Sequence, residues 1–70
     1  MSQVYREKIA RLVKSLREKN NMTREQLSLA LGYDNSYISK LEKGNINITI
    51  DGIEEIAKYF GINFDIKLTK

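Results

Sequence analysis

Apolar residues at Tyr5, Ile9, Leu12, Val13 and Leu16 recur at helical spacing, which predicts an amphipathic helix from about Val4 to Asn20. Asn21 is expected to end it in a left-handed conformation, which Asn tolerates better than most residues. The next apolar group is Leu27, Ala30 and Leu31. Thr23 and Gln26 form a capping box ahead of it, and Met22 and Leu27 stand at the ends of a hydrophobic staple. A second helix is therefore expected to close at Gly32. Leu29 projects away from the core, either as an ordinary exposed Leu or as a partner contact. In "YDNSYISKLEKG", Asp34 reads as an N-cap, with a third helix from Asn35 to Lys43 and Gly44 just past its end. The short connection Gly32-Tyr33-Asp34 forces helices two and three to cross steeply. Ser28 is small and permits close approach there. "NINITI" alternates like a strand but reads as a loop leading to Thr49, the N-cap of a fourth helix from about Ile50 to Phe60. Ile53, Ile56, Ala57 and Phe60 line its inner face, and Gly52 in its first turn costs a little helix propensity.

The period changes at the end of the chain. Ile62, Phe64, Ile66 and Leu68 alternate with Asn63, Asp65, Lys67 and Thr69, which predicts a half-buried strand. No second convincing strand is available to pair with it. Its own copy is the simplest partner, in an antiparallel ribbon across a two-fold axis with Phe64, Ile66 and Leu68 packed on the helices. A terminal helical turn, with dimerisation through helix four, and a frayed tail are the alternatives. The expected fold is mostly α: four helices, with room for a fifth, over residues 1–61, and a short C-terminal β-strand for dimerisation over residues 62–70.

Composition removes several classes of function. A chain of 70 residues holds one domain. It has no Cys and no His, so a disulfide framework and a Cys/His metal site are excluded, and no cofactor is implied. With no His base and no Cys nucleophile, an enzyme is the weakest option. No apolar run is long enough to span a membrane, and "MSQVYREKIARL" is too charged for a signal peptide. A soluble, cytoplasmic protein is the default expectation. The charge is uneven: residues 1–44 carry nine Lys and Arg against five Asp and Glu, and residues 45–70 carry three against four. A basic front half points to a polyanion, although on charge alone ordinary surface charge is the simpler account.

On a helical wheel of residues 35–43, Tyr37, Ile38 and Leu41 fall on one side. Asn35, Ser36, Ser39, Lys40 and Lys43 fall on the other. Short amides and hydroxyls reach base edges in a major groove, and Asn matches adenine's paired donor and acceptor. A solvated helix face explains the same residues on their own. The capped helix, the Gly-containing turn and the second, polar-faced helix together make a helix-turn-helix.

With those features, "MTREQLSLALGYDNSYISKLEKG" followed by "INITIDGIEEIAKYFGI" resembles the Cro/CI-type (Xre) helix-turn-helix family over about residues 9 to 62. Matching features are Leu16-Arg17, Gly32, Ile38-Ser39, Glu42 to Gly44, and Ile56-Ala57. The resemblance implies base reading by Asn35, Ser36, Ser39 and Lys40, with Tyr37 and Lys43 near the DNA backbone. It places Thr23 and Arg24, with the N-terminus of helix two, on phosphate, and Asn45 and Asn47 on phosphates at the far side. Arg17 and Glu42 match a pair that joins helix one to the end of helix three, a brace for the reading head. The chain departs from the family at Arg24, where Gln is frequent, and near Ile48, where a small residue or Pro is usual.

The resemblance leads to a sequence-specific DNA-binding regulator, a repressor acting as a homodimer on a palindromic operator in double-stranded DNA. A HipB-type antitoxin, with a toxin as its protein partner, is the alternative from another class. A restriction–modification controller is the third, which "YIS" also resembles.

Overall fold

A left-handed residue follows each of the four helices formed by the described residues: Asn21 at φ 56°, then Gly32, Gly44 and Gly61. The computed structural model describes residues 3–62. Its elements are α1 (Gln3–Lys19), α2 (Arg24–Ala30), α3 (Tyr37–Glu42) and α4 (Ile50–Phe60). After α3 the amide of Gly44 donates to the Leu41 carbonyl and that of Asn45 to the Lys40 carbonyl, both at 3.0 Å. This double bond pattern satisfies the last carbonyls of the helix and needs the positive φ that glycine adopts without strain.

Starts are set by side chains. Thr23 Oγ1 accepts from the Gln26 amide at 3.0 Å while Gln26 Oε1 accepts from the Thr23 amide at 2.9 Å, the reciprocal box expected from the sequence. Thr49 Oγ1 accepts from the Gly52 amide at 3.0 Å and opens α4 over the expected residues.

The helix α3 starts later than expected. Asp34 does not cap it. Its Oδ1 accepts from the amide and hydroxyl of Ser36, at 2.9 and 2.7 Å, and its carbonyl accepts from the Tyr37 amide. The chain is thereby bent into a tight turn over Asn35 and Ser36. The first bond of α-helical span runs from the Lys40 amide to the Ser36 carbonyl. Ser36 occupies the N-cap position without a side-chain cap. The connection between α2 and α3 thus takes in residues 31–36, not three residues.

One core joins all four helices. Ile9, Val13, Leu27, Ile38, Leu41, Ile48, Ile53 and Ile56 fill it, and Met22, Leu31, Tyr37, Ile46 and Phe60 pack around it. The helix α3 lies against both α1 and α2. Two inward assignments are corrected: Leu12 is 44 % exposed, and Ala30 is exposed. Ala10 and Arg17 take the inner stripe on α1, and Ser28 takes it on α2. The buried stripe is centred about a third of a turn from Leu12, on the side that brings Arg17 to Glu42 of α3. Leu29 is exposed.

Residues 45–49 form the expected loop. The strand and dimer ribbon expected from Phe64, Ile66 and Leu68 lie outside the described residues, among which there is no strand. No helix of the described residues is long and apolar enough to cross a membrane.

Candidate nucleic-acid interface

Thr23, Arg24, Glu25, Asn35, Ser36 and Ser39 line one open cleft between the start of α2 and the turn into α3. Residues separated by more than ten positions in sequence meet there because the tight turn at Asp34 brings α3 back across the head of α2. Three of the four base-reading candidates, Asn35, Ser36 and Ser39, are in this cleft with Thr23 and Arg24. The fourth, Lys40, is exposed on α3 outside the lining. Asn45 and Asn47 are exposed in the loop after α3, and Lys43 is exposed at its end.

The hydrogen-bonding capacity of these side chains differs. Asn35 and Ser39 make no side-chain hydrogen bond among the described residues. Ser36 donates its hydroxyl proton to Asp34, so only its lone pairs remain for a ligand. The bonds from the Ser36 hydroxyl and amide hold the Asp34 carboxyl below its ordinary value. Thr23 accepts from Gln26 and retains a hydroxyl proton to donate. Tyr37 is half-buried, its ring stacked on Tyr33 with centroids 3.9 Å apart and planes 11° apart. Tyr33 in turn donates its hydroxyl to Glu55 Oε1 at 2.8 Å, tying the turn to α4. That bond first, and burial second, push the Tyr33 phenol up to about 12. Burial raises the Tyr37 phenol as well.

Behind the cleft, Glu42 receives two arginines. Arg17 Nε and Nη2 donate to its two oxygens at 2.7 and 3.1 Å, and Arg17 Nη1 donates to the Met22 carbonyl at 2.9 Å. Arg24 Nε donates to Glu42 Oε1 at 3.1 Å. The side chains of Arg17 and Glu42 are 9 % and 5 % exposed, that of Arg24 52 %. The bond to Glu42 outweighs burial and holds the Arg17 guanidinium above its ordinary value. One carboxylate therefore fixes α1, the start of α2 and the end of α3 in a single arrangement.

Five residues take structural parts that the sequence pattern did not assign to them. Ser28 is fully buried; its Oγ donates to the Arg24 carbonyl at 2.8 Å and accepts from the Ile38 amide at 2.9 Å. The helix α3 thus takes its cap from the preceding helix. The only sequence signal is a small hydroxyl residue beside the core position Leu27. Gly52 is buried against Ile48. Tyr33 and Glu55 form the tie to α4. Glu25 adds a negative charge to the cleft rim, where it also suits the positive end of α2.

Residues 13–67 match a family model described as helix-turn-helix. The chain is 39 % identical over 44 residues to the "Control protein C.BamHI" of Bacillus amyloliquefaciens. That match takes in 63 % of this chain and 54 % of the relative, so the chain spans about half the length of the curated relative it matches. No solved structure matches the chain.

Proposed function

The chain belongs to the Cro/CI-type (Xre) helix-turn-helix family, and from that premise we propose that it is a DNA-binding transcription regulator reading the major groove through α3. The observation that carries this reading is the single cleft holding Asn35 and Ser39, both free to bond, beside Thr23 and Arg24. The amide of Asn35 and the hydroxyl of Ser39 meet base edges, with Lys40 beside them. Arg24 uses Nε on Glu42 and keeps its two terminal amino groups for a phosphate. Thr23, Lys43, Asn45 and Asn47 add further backbone contacts, and Tyr37 lines the backbone side from its stack on Tyr33. The Arg17–Glu42 brace holds this head in register.

One α3 of this length touches only a few base pairs. Two copies on half-sites one turn apart, about 34 Å, double the contacts and match a palindrome. In this reading the protein is a homodimer joined through Phe64, Ile66 and Leu68, and it represses by occupying its operator. A second reading, a restriction–modification controller, draws on the 39 % identity with a control protein.

Selection of bound duplexes from a random pool tests the proposal. A palindromic output is expected. Asn35→Ala should weaken binding to the selected site by ~1–3 kcal/mol and leave random duplex nearly unaffected. No enriched sequence, or an Asn35→Ala protein that binds both duplexes as the parent does, sinks α3 as the reader. A reporter downstream of the selected site separates repression from activation. Deletion of residues 63–70, followed by mass in solution, tests the dimer contact; a truncated protein that stays dimeric removes it.

A further inference from the structure

Lys43 stands one turn beyond Ser39 and Lys40 on the outer side of the α3 end, so it continues the proposed reading stripe. Beyond it a second groove opens between the end of α3 and α1. Its cationic lining is Arg11, Lys14 and Lys43, all exposed. Ala10 and Gly44 are its small, buried lining residues, and the Gln3 side chain lies beside Gly44.

The charges in this groove are not neutralised from within. Among the described residues both salt bridges use Glu42, which is shared by Arg17 and Arg24. None of Arg11, Lys14 and Lys43 has an ion-pair partner among those residues. The other carboxylate in the lining, Glu7, accepts a hydrogen bond from Gln3 Nε2 at 3.3 Å. Three cations without an ion-pair partner thus share the groove with a single carboxylate, Glu7, that has none either.

We infer that this groove holds a second length of duplex backbone, outside the base-reading cleft, with Arg11 and Lys14 of α1 meeting phosphates and Lys43 joining that track to the reading helix. The inference rests on the assignment of α3 as the DNA-reading element. A phosphodiester strand is a regular row of anions, and spaced cations along an open groove match it. An acidic protein segment is the competing occupant. The continuity of Lys43 with the reading stripe favours the duplex.

The test uses the full chain and a selected duplex extended by one turn, about 10 base pairs, on each side. Affinity is measured across a salt series for the parent, for Arg11→Gln/Lys14→Gln, and for the charge-keeping Arg11→Lys/Lys14→Arg. Each lost phosphate contact lowers the salt slope by ~0.9. The glutamine variant is therefore expected to lose nearly two units of slope and at least tenfold in affinity at low salt. Its ratio of selected to random binding should be retained, because phosphate contacts carry no sequence information. The charge-keeping variant should hold the parental slope. Equal slopes for parent and glutamine variant overturn the groove assignment while leaving α3 as reader, since the parent still discriminates between duplexes. A parent that binds no duplex in any salt overturns both.

Discussion

The hydroxyl oxygen of Ser28 lies 2.9 Å from the amide nitrogen of Ile38 and 2.8 Å from the Arg24 carbonyl oxygen, with no solvent access. This one group seats the start of α3 on the body of α2. The first amides of any helix lack an intrahelical acceptor, and here the acceptor comes from a neighbouring element. Ser28→Ala leaves the Ile38 amide unpaired in the core. A stranded buried donor costs ~1–3 kcal/mol, which in a domain of this size lowers Tm by ~4–8 °C for each kcal/mol. Thermal unfolding of the variant checks this. A Tm equal to the parent's means that the hydroxyl is dispensable.

Glu42 serves two arginines of unlike exposure, so its partners should differ in worth. Glu42→Ala strands the buried Arg17 charge and is expected to cost ~3–5 kcal/mol. Arg24→Ala breaks only the half-exposed bond and is expected to cost less than ~1 kcal/mol. Arg24→Gln should nonetheless reduce the salt slope of DNA binding by about one phosphate's share. Urea unfolding separates the first pair, and equal losses for the two variants contradict the assignment. An unchanged salt slope removes Arg24 from the interface.

Gly52→Ala should destabilise the fold, against the propensity scale that credits Ala with ~1 kcal/mol over Gly in a helix. A Cβ at Gly52 meets Cγ1 of the buried Ile48 at 2.8 Å. Overpacking of that kind costs ~1–3 kcal/mol. In an Ile48→Ala background the same change should be neutral or stabilising, because the obstructing atom is gone. A double-mutant cycle measures the coupling, and additive effects disprove the contact.

Tyr33 carries a raised phenol, with its folded value at about 12 against an ordinary 10.0. A group that holds its proton more tightly when folded contributes stability that is complete below the unfolded value. This contribution is lost as pH rises from 10.0 through about 12. Glu55→Gln removes the foremost cause, so the Tyr33 titration should move down towards its ordinary value. Tyrosinate absorbance followed against pH, with Tyr33→Phe to identify the transition, provides the measurement. A titration unmoved by Glu55→Gln would falsify the tie.

Local rules made four helices legible. The box at Thr23 and Gln26, the cap at Thr49 and the left-handed Asn21 depend only on neighbours within a few positions, and each stands in the structure as its residues imply. The family was legible for the same reason, whereas Asn35 and Ser36, read as part of the third helix's polar side, lie in the turn before it. Partition between buried and exposed positions was less so. Leu12 is a better hydrophobe than Ala10 or Arg17, yet the close approach of α3 puts the small residue and the paired guanidinium inside.

What the sequence by itself determined is the four helices of the described residues and most of their ends, because propensity, capping and periodicity act over short spans. Tertiary structure alone decided the rest. The start of α3 at Tyr37 and not at Asn35 is the exception, set by the local turn in which Ser36 bonds to Asp34. Ser28 caps a helix ten residues away, Glu42 gathers arginines from 18 and 25 residues away, and Tyr33 reaches Glu55 across 22. Each is a hydrogen bond whose partners meet only after the core has packed, and no local rule encodes which distant group will arrive.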